Sequence, residues 1–125
     1  MERDRFRRLV RRALRTLPPE FARYLDNVDV VVQREPSAAD LEQGGHGHDD
    51  DGNGGDLFGL YVGTPLIERE SYGMTLPDRI VIFQGPLERH FARHEIPEEV
   101  RKTVIHEIAH HFGMDDERLA ALGLD

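Results

Sequence analysis

Two histidines and a glutamate near the carboxyl end of the chain have the spacing of a metal-dependent hydrolase. His106, Glu107 and His110 form the pattern His-Glu-x-x-His. On a helix, residues four apart lie about 40° apart around the axis and about 6 Å along it, so both imidazoles could bind one ion. Glu107 lies beside them, where a carboxylate can take a proton from water. Zinc with three protein ligands lowers the pKa of its water to about 7, so the pattern predicts hydrolysis at neutral pH.

The two histidines leave zinc one protein ligand short, and the residues beyond Gly113 are candidates for the third. Glycine at a helix end permits a left-handed conformation and a sharp change of direction. Asp116 then has the most suitable position, because it completes the pattern His-Glu-x-x-His-x-x-Gly-x-x-Asp. Asp115 and Glu117 are neighbouring alternatives. Asp116 is therefore the predicted third ligand.

The helix that carries these residues has recognisable ends. Pro97 suits its first turn, Glu98 and Glu99 complement the helix dipole there, and Gly113 ends it. Apolar residues form one broad arc of this helix: Val100, Val104, Ile105, Ile108, Ala109 and Phe112. The histidines lie on the other side, which separates a core face from a chemical face. The alternative is that the histidines are solvated and that Glu107 forms a salt bridge within the helix.

The remaining elements predict a single α+β domain over residues 1–125. A short helix should follow Pro18 and Pro19. Strands are predicted at 28–32, 57–62 and 79–83, and helices at 86–93 and 116–122. We therefore expect a small mixed sheet with helices, and the site helix near the carboxyl end.

The amino end predicts an amphipathic helix. Its apolar residues recur at helical spacing: Phe6, Leu9, Val10, Ala13, Leu14 and Leu17. Its other side carries arginines: Arg5, Arg7, Arg8, Arg11, Arg12 and Arg15. Such a helix can bind nucleic acid or an anionic membrane. We favour a helix that packs on the core with a solvated arginine side, because a small domain needs the apolar stripe.

The net charge of −8 is concentrated in one segment. Residues 35–56 are rich in aspartate, glutamate and glycine and contain no lysine or arginine. Such a segment has little apolar area to bury, so we predict a mobile acidic loop. His46 and His48 could bind a second metal together with the aspartates, although a solvated insertion is favoured.

Composition excludes several classes of site. The chain contains no cysteine, so disulfides and cysteine-ligated zinc are impossible. We see neither a signal peptide nor a long apolar run, and we expect a cytoplasmic protein without a membrane partner. The predicted partner is a peptide or protein substrate and not a nucleic acid, and a monomer is favoured.

The site motif, together with the segments 17–21, 26–32, 59–66 and 76–80, resembles the small zincin-like metallopeptidases, also described as minimal metalloproteases. The resemblance spans most of the chain outside 35–56. It implies a compact zincin-like fold, a zinc site at His106, His110 and Asp116, and Glu107 as the general base. The third ligand is acidic here, whereas the metzincins have a histidine at that position.

These observations predict a zinc-dependent metallopeptidase. In a zincin-like arrangement an edge strand should receive an extended peptide, and residues 57–62 or the segment around Tyr72 could serve. Tyr61 or Tyr72 could donate to an oxyanion, although a packed tyrosine is favoured. The alternatives are a zinc-dependent hydrolase of nucleic acids and a non-catalytic module that zinc staples together.

Overall fold

The computed structural model describes residues 1–45, 56–63 and 77–121. These residues form an α+β fold, as the sequence predicts. The helices are α1 (Arg3–Leu14), α2 (Pro19–Ala22), α3 (Ala38–Gly45), α4 (Gln84–His90), α5 (Ile96–His111) and α6 (Asp116–Ala121). The strands are β1 (Val28–Gln33), β2 (Gly59–Val62) and β3 (Asp78–Phe83). Short 3-10 turns occupy Arg23–Leu25 and Arg93–Glu95.

The three strands form a mixed sheet with β3 at its centre. The order is β1-β3-β2, in which β1 runs parallel to β3 and β2 runs antiparallel to it. Ile80 of β3 lies between Val30 of β1 and Tyr61 of β2. In the described part of the sheet, β2 is therefore an edge strand.

The core lies between one face of this sheet and the helices α1 and α5. From α1 it takes Phe6, Val10 and Ala13, which are almost completely buried, as the amino-terminal pattern predicts. The buried residues of α5 include Val100, Val104 and Ile108. Side chains alternate along a strand, so the opposite face of the sheet holds a smaller cluster of Leu60, Val81 and Phe83. Burial of one face of α5 holds this helix firmly against the sheet.

The two ends of α5 have the predicted signals. Pro97 lies in the first turn, with acidic residues beside it. At the other end, Gly113 has a φ of +68°. The Met114 N–H donates to the Ala109 carbonyl at 2.8 Å, and the Gly113 N–H donates to the His110 carbonyl at 3.3 Å. This pair of bonds is a Schellman motif, which turns the chain sharply before α6.

The acidic segment 35–56 differs in its first part from the predicted loop, since it contains α3. Ser37 and Asp40 form a reciprocal cap: the Asp40 N–H donates to Ser37 Oγ at 3.0 Å, and the Ser37 N–H donates to Asp40 Oδ2 at 2.9 Å. This cap satisfies free amides at the helix start. Residues 46–55, with His46 and His48, lie outside the described residues.

Arg89 of α4 ties the two ends of this segment together. Its guanidinium donates to both carboxylate oxygens of Glu35, at 2.8 and 3.0 Å, and to both of Asp56, at 3.0 and 3.3 Å. His90 Nε2 lies 2.8 Å from Asp56 Oδ2. The hydrogen bonds from Arg89 are the main cause that lowers the pKa of both carboxyls. We call Glu35, Asp56, Arg89 and His90 the ionic clasp.

The described helices are too short or too polar to cross a bilayer.

Candidate metal centre

The two histidines of the motif lie on the last two turns of α5. Both side chains are exposed, and their positions four residues apart place them on one side of the helix. The carboxyl end of a helix carries a partial negative charge from its unpaired carbonyls. A cation bound between His106 and His110 would therefore be stabilised by the helix as well as by the imidazoles.

Glu107 is buried, whereas the two histidines of the motif, His106 and His110, are exposed. Its residue surface is 6% exposed, and its Oε1 accepts a hydrogen bond from the backbone N–H of Tyr61 at 3.1 Å. Burial raises the pKa of the Glu107 carboxyl to about 7, while the bond from Tyr61 acts in the opposite direction. Among the described residues Glu107 has no ion pair, so the alternative of a helix salt bridge is wrong.

The strand β2 packs against one row of side chains on α5, and this row includes Glu107. The row consists of Thr103, Glu107 and His111, spaced four residues apart. Gly59 lies so close to the row that a Cβ there would be 2.5 Å from Thr103 Cγ2. Two residues on, the ring of Tyr61 stacks on His111 with centroids 3.8 Å apart and an interplanar angle of 15°. Glu107 is therefore enclosed between Gly59 and the stacked rings.

Glu107 meets the edge of β2 that faces away from β3. The Phe83 N–H donates to the Phe58 carbonyl at 2.9 Å. In an antiparallel pair such bonded positions alternate with unbonded ones, so Tyr61 directs its N–H away from β3. That N–H is the donor to Glu107 Oε1.

The side chain of Tyr61 has a packing role. The residue is 9% exposed, and its hydroxyl donates to Asp78 Oδ2 at 2.7 Å. This supports the packed tyrosine over the oxyanion donor. Tyr72 lies outside the described residues.

The predicted third ligand begins the next helix. Asp116 is the first residue of α6, directly after the turn at Gly113, but its side chain lies outside the part of the structure described. Asp115 caps α6, since its Oδ1 accepts the Arg118 N–H at 2.8 Å. The described side chains, to which that of Asp116 does not belong, contain no group of three that could hold a metal ion. The structure thus places His106 and His110 on one side of α5 with Glu107 next to His106 in the chain, and the third ligand stays a prediction.

The donor chemistry of these residues fits zinc. Neutral imidazole is a common zinc ligand, and a catalytic zinc has three protein ligands with one position left open. The two exposed histidines supply such nitrogens beside a carboxyl whose pKa is raised to about 7. Ionising a buried carboxyl that has no cationic partner costs free energy. Carboxyls with a pKa shifted in this way are typical of functional sites.

Sequence reasoning missed the residues that hold Glu107 in place. The glycine within strand β2 was an available signal, because glycine in a strand often marks a close approach of another backbone. The stacking of His111 on Tyr61 had no such signal. It depends on a contact between residues far apart in the chain.

Comparison with families of known proteins gives a match over most of the chain. Residues 25–124 match the model of a family described as zincin-like metallopeptidase. This chain belongs to the zincin-like metallopeptidase family. The matched range includes all three strands and the entire motif helix. The predicted resemblance is therefore confirmed.

A solved structure supports the fold. A conserved hypothetical protein from T. thermophilus superposes on this zincin-like protein with a TM-score of 0.52 and 22% sequence identity. The match covers 98% of each chain. No curated protein gives a significant match to this chain.

Proposed function

We propose that this protein is a zinc-dependent metallopeptidase that hydrolyses peptide bonds of a peptide or protein substrate. His106, His110 and Asp116 are the proposed zinc ligands, and Glu107 is the proposed general base. The observation that carries the proposal is the environment of Glu107. Its carboxyl is buried, has a raised pKa of about 7, and lies between two exposed histidines at ligand spacing.

A pKa near 7 suits a group that must take and return a proton. Such a carboxyl is partly ionised at neutral pH, so it can accept a proton and afterwards donate it. The Tyr61 N–H holds Oε1, and we expect Oε2 to be the oxygen that exchanges the proton. The stacked rings of Tyr61 and His111 restrict the movement of the carboxylate further.

The chemistry divides between the metal and Glu107. Bound zinc would supply Lewis acidity, polarising the scissile carbonyl and acidifying the attacking water. Glu107 removes a proton from that water as the carbon–oxygen bond forms. It then passes the proton to the amide nitrogen, and the carbon–nitrogen bond breaks to release an amine and a carboxylate.

The metal ligands are tested by elemental analysis of protein purified without added metal. We expect about one zinc per chain in the wild type and a loss of zinc in His106→Ala and in Asp116→Ala. His94→Ala is the matched control, because His94 is exposed and lies outside α5. Glu117→Ala separates Asp116 from its neighbour. A wild type without zinc, even after zinc is added, would contradict the proposed site.

The role of Glu107 is tested with a Glu107→Gln variant on a library of quenched fluorescent peptides. We expect full zinc content and no turnover, because glutamine keeps the hydrogen bond from Tyr61 but cannot take a proton. Glu98→Gln, an exposed change on the same helix, should retain activity. Turnover by Glu107→Gln would refute the role of the base.

The buried Glu107 also distinguishes the proposed enzyme from a non-catalytic module in which zinc only stabilises the fold. A structural zinc site normally has four protein ligands and needs no carboxyl of raised pKa beside it. Measurements of zinc content and peptide cleavage on the wild type decide between these two functions. A wild type that binds zinc tightly but unfolds in a chelator and cleaves no peptide would favour the structural zinc site.

A further inference from the structure

The exposed side of α1 is a continuous cationic surface that the proposed peptidase does not use. At about 100° per residue, the six arginines between positions 5 and 15 cover an arc of about 160°. Arg3 is left out of this set, because it donates to the Val32 carbonyl. We call this set the arginine face: Arg5, Arg7, Arg8, Arg11, Arg12 and Arg15. All of these side chains are exposed. The buried residues of α1 lie on the opposite side, against the core, so the face points away from α5.

Among the described residues, one ion pair neutralises part of this charge. Asp4 is the one acidic residue on the arc, and its Oδ1 lies 3.7 Å from Arg7. The other arginines of the face form no ion pair with any described residue. Three pairs of the face, such as Arg8 and Arg12, stand four residues apart, a spacing at which like charges repel. The face therefore destabilises its own helix in the absence of an anionic partner.

The arrangement favours phosphate over other anions. Arginine has a planar guanidinium that forms two parallel hydrogen bonds to a phosphate, and the face contains no lysine. The helix cannot insert into a membrane, because its apolar residues Phe6, Val10 and Ala13 are already buried in the core. Its exposed side has no aromatic residue on which unpaired bases could stack. A nucleic-acid duplex fits these properties better than a single strand or a bilayer.

The dimensions suit DNA. From Arg5 to Arg15 the face is about 15 Å long, along which B-DNA presents about nine phosphate charges. The major groove of B-DNA is wide enough for an α-helix, whereas that of double-stranded RNA is too narrow. We infer that the arginine face binds the phosphate backbone of double-stranded DNA without sequence specificity. The sequence alone predicts a solvated arginine side and no nucleic-acid partner. We favour DNA binding instead, because most arginines of this face form no ion pair with a described residue.

The net charge of −8 does not prevent this binding. Seven of the acidic residues lie in the segment 35–56, which leaves the rest of the chain close to neutral. Encounter with DNA depends on the local potential of the surface that meets it. The inference is independent of the proposed peptidase activity, since the face lies on the other side of α1 from the motif helix.

The test measures fluorescence anisotropy of a labelled duplex of about 20 base pairs with full-length protein, in the presence of a chelator. We expect micromolar affinity at about 50 mM salt and a loss of about a thousandfold by about 200 mM, the effect of about six phosphate contacts. The triple variant Arg8→Gln, Arg12→Gln and Arg15→Gln should reduce the slope of log K against log salt by about 3. Its melting temperature should equal or exceed that of the wild type, because charge repulsion is removed.

The matched control removes the same charge elsewhere on the surface. Arg34, Arg93 and Lys102 are exposed and lie outside α1, and their replacement by glutamine should leave binding almost unchanged. Equal weakening in both triple variants would overturn the inference, as would wild-type affinity in the α1 variant. Equal affinity for a single strand would also overturn it. Polyglutamate that displaces the labelled duplex as effectively as unlabelled DNA does would overturn it as well. Binding to phosphatidylglycerol vesicles without binding to the duplex would have the same consequence.

Discussion

Replacing Glu107 by glutamine should stabilise the metal-free protein at neutral pH. In the folded protein the pKa of this carboxyl is raised from 4.5 to about 7 by burial. Between these two pH values the folded state keeps a proton that the unfolded state has released. The free energy of unfolding therefore falls as pH rises from about 4.5 to about 7, and it then levels off. Glutamine does not ionise, so its variant avoids this loss.

The size of the effect follows from the pKa difference. One pKa unit corresponds to about 1.4 kcal/mol, so the charged carboxylate costs about 3 kcal/mol above pH 7. For a domain of this length, that difference raises the melting temperature by about 10 °C. Glutamine can still accept the bond from the Tyr61 N–H, so this contact is kept in the variant.

The assay is urea unfolding of wild type and Glu107→Gln in a chelator, at several pH values between about 4.5 and about 8. The difference in unfolding free energy should increase steadily across this range, whatever offset the amide group introduces at low pH. Glu98→Gln is the control, because it removes the same charge from an exposed position on the same helix. A constant difference between Glu107→Gln and wild type at all pH values would refute the argument that burial raises the pKa.

Three further substitutions test the surroundings of the site, each by urea unfolding. Gly113→Ala should cost about 1 kcal/mol, because alanine disfavours the φ of +68° although its Cβ would meet no neighbour within 4 Å. Gly59→Ala should cost about 1–3 kcal/mol through its close contact with Thr103 Cγ2, and Thr103→Ser in the same protein should recover most of this loss. Tyr61→Phe should cost about 1 kcal/mol by removing a 2.7 Å hydrogen bond, whereas Tyr24→Phe, whose hydroxyl makes only contacts of 3.4 and 3.5 Å, should cost almost nothing. Equal costs for the two tyrosines would contradict the assigned bond.

The elements could be predicted from the sequence because their signals are local. Proline and acidic residues mark the start of α5, and Gly113 marks its end. The β-branched run that forms β1 alternates between the faces of the sheet, with Val32 buried and Val31 exposed. These features depend on residues within a few positions of each other. The α+β class and the position of the motif helix followed from them.

The surroundings of Glu107 could not be predicted, because they depend on tertiary pairing. Tyr61 and Glu107 are 46 residues apart, and their hydrogen bond uses a backbone N–H that every residue except proline possesses. The missed helix α3 is a different case. The pattern Ser37-x-x-Asp40 is a local capping signal, but the acidic composition of the segment outweighed it in the prediction.

The ionic clasp brings the two ends of the chain between Glu35 and Asp56 to one side chain. Both ends are fixed to the same guanidinium of Arg89, so a sequence of another length in this interval would begin and finish at one point on the surface. Doubling the length of a closed loop costs only about 0.6 kcal/mol in entropy. The interval is therefore a natural position for the insertion of a fluorescent reporter or a second domain, provided that α3 and its contacts with β2 are kept.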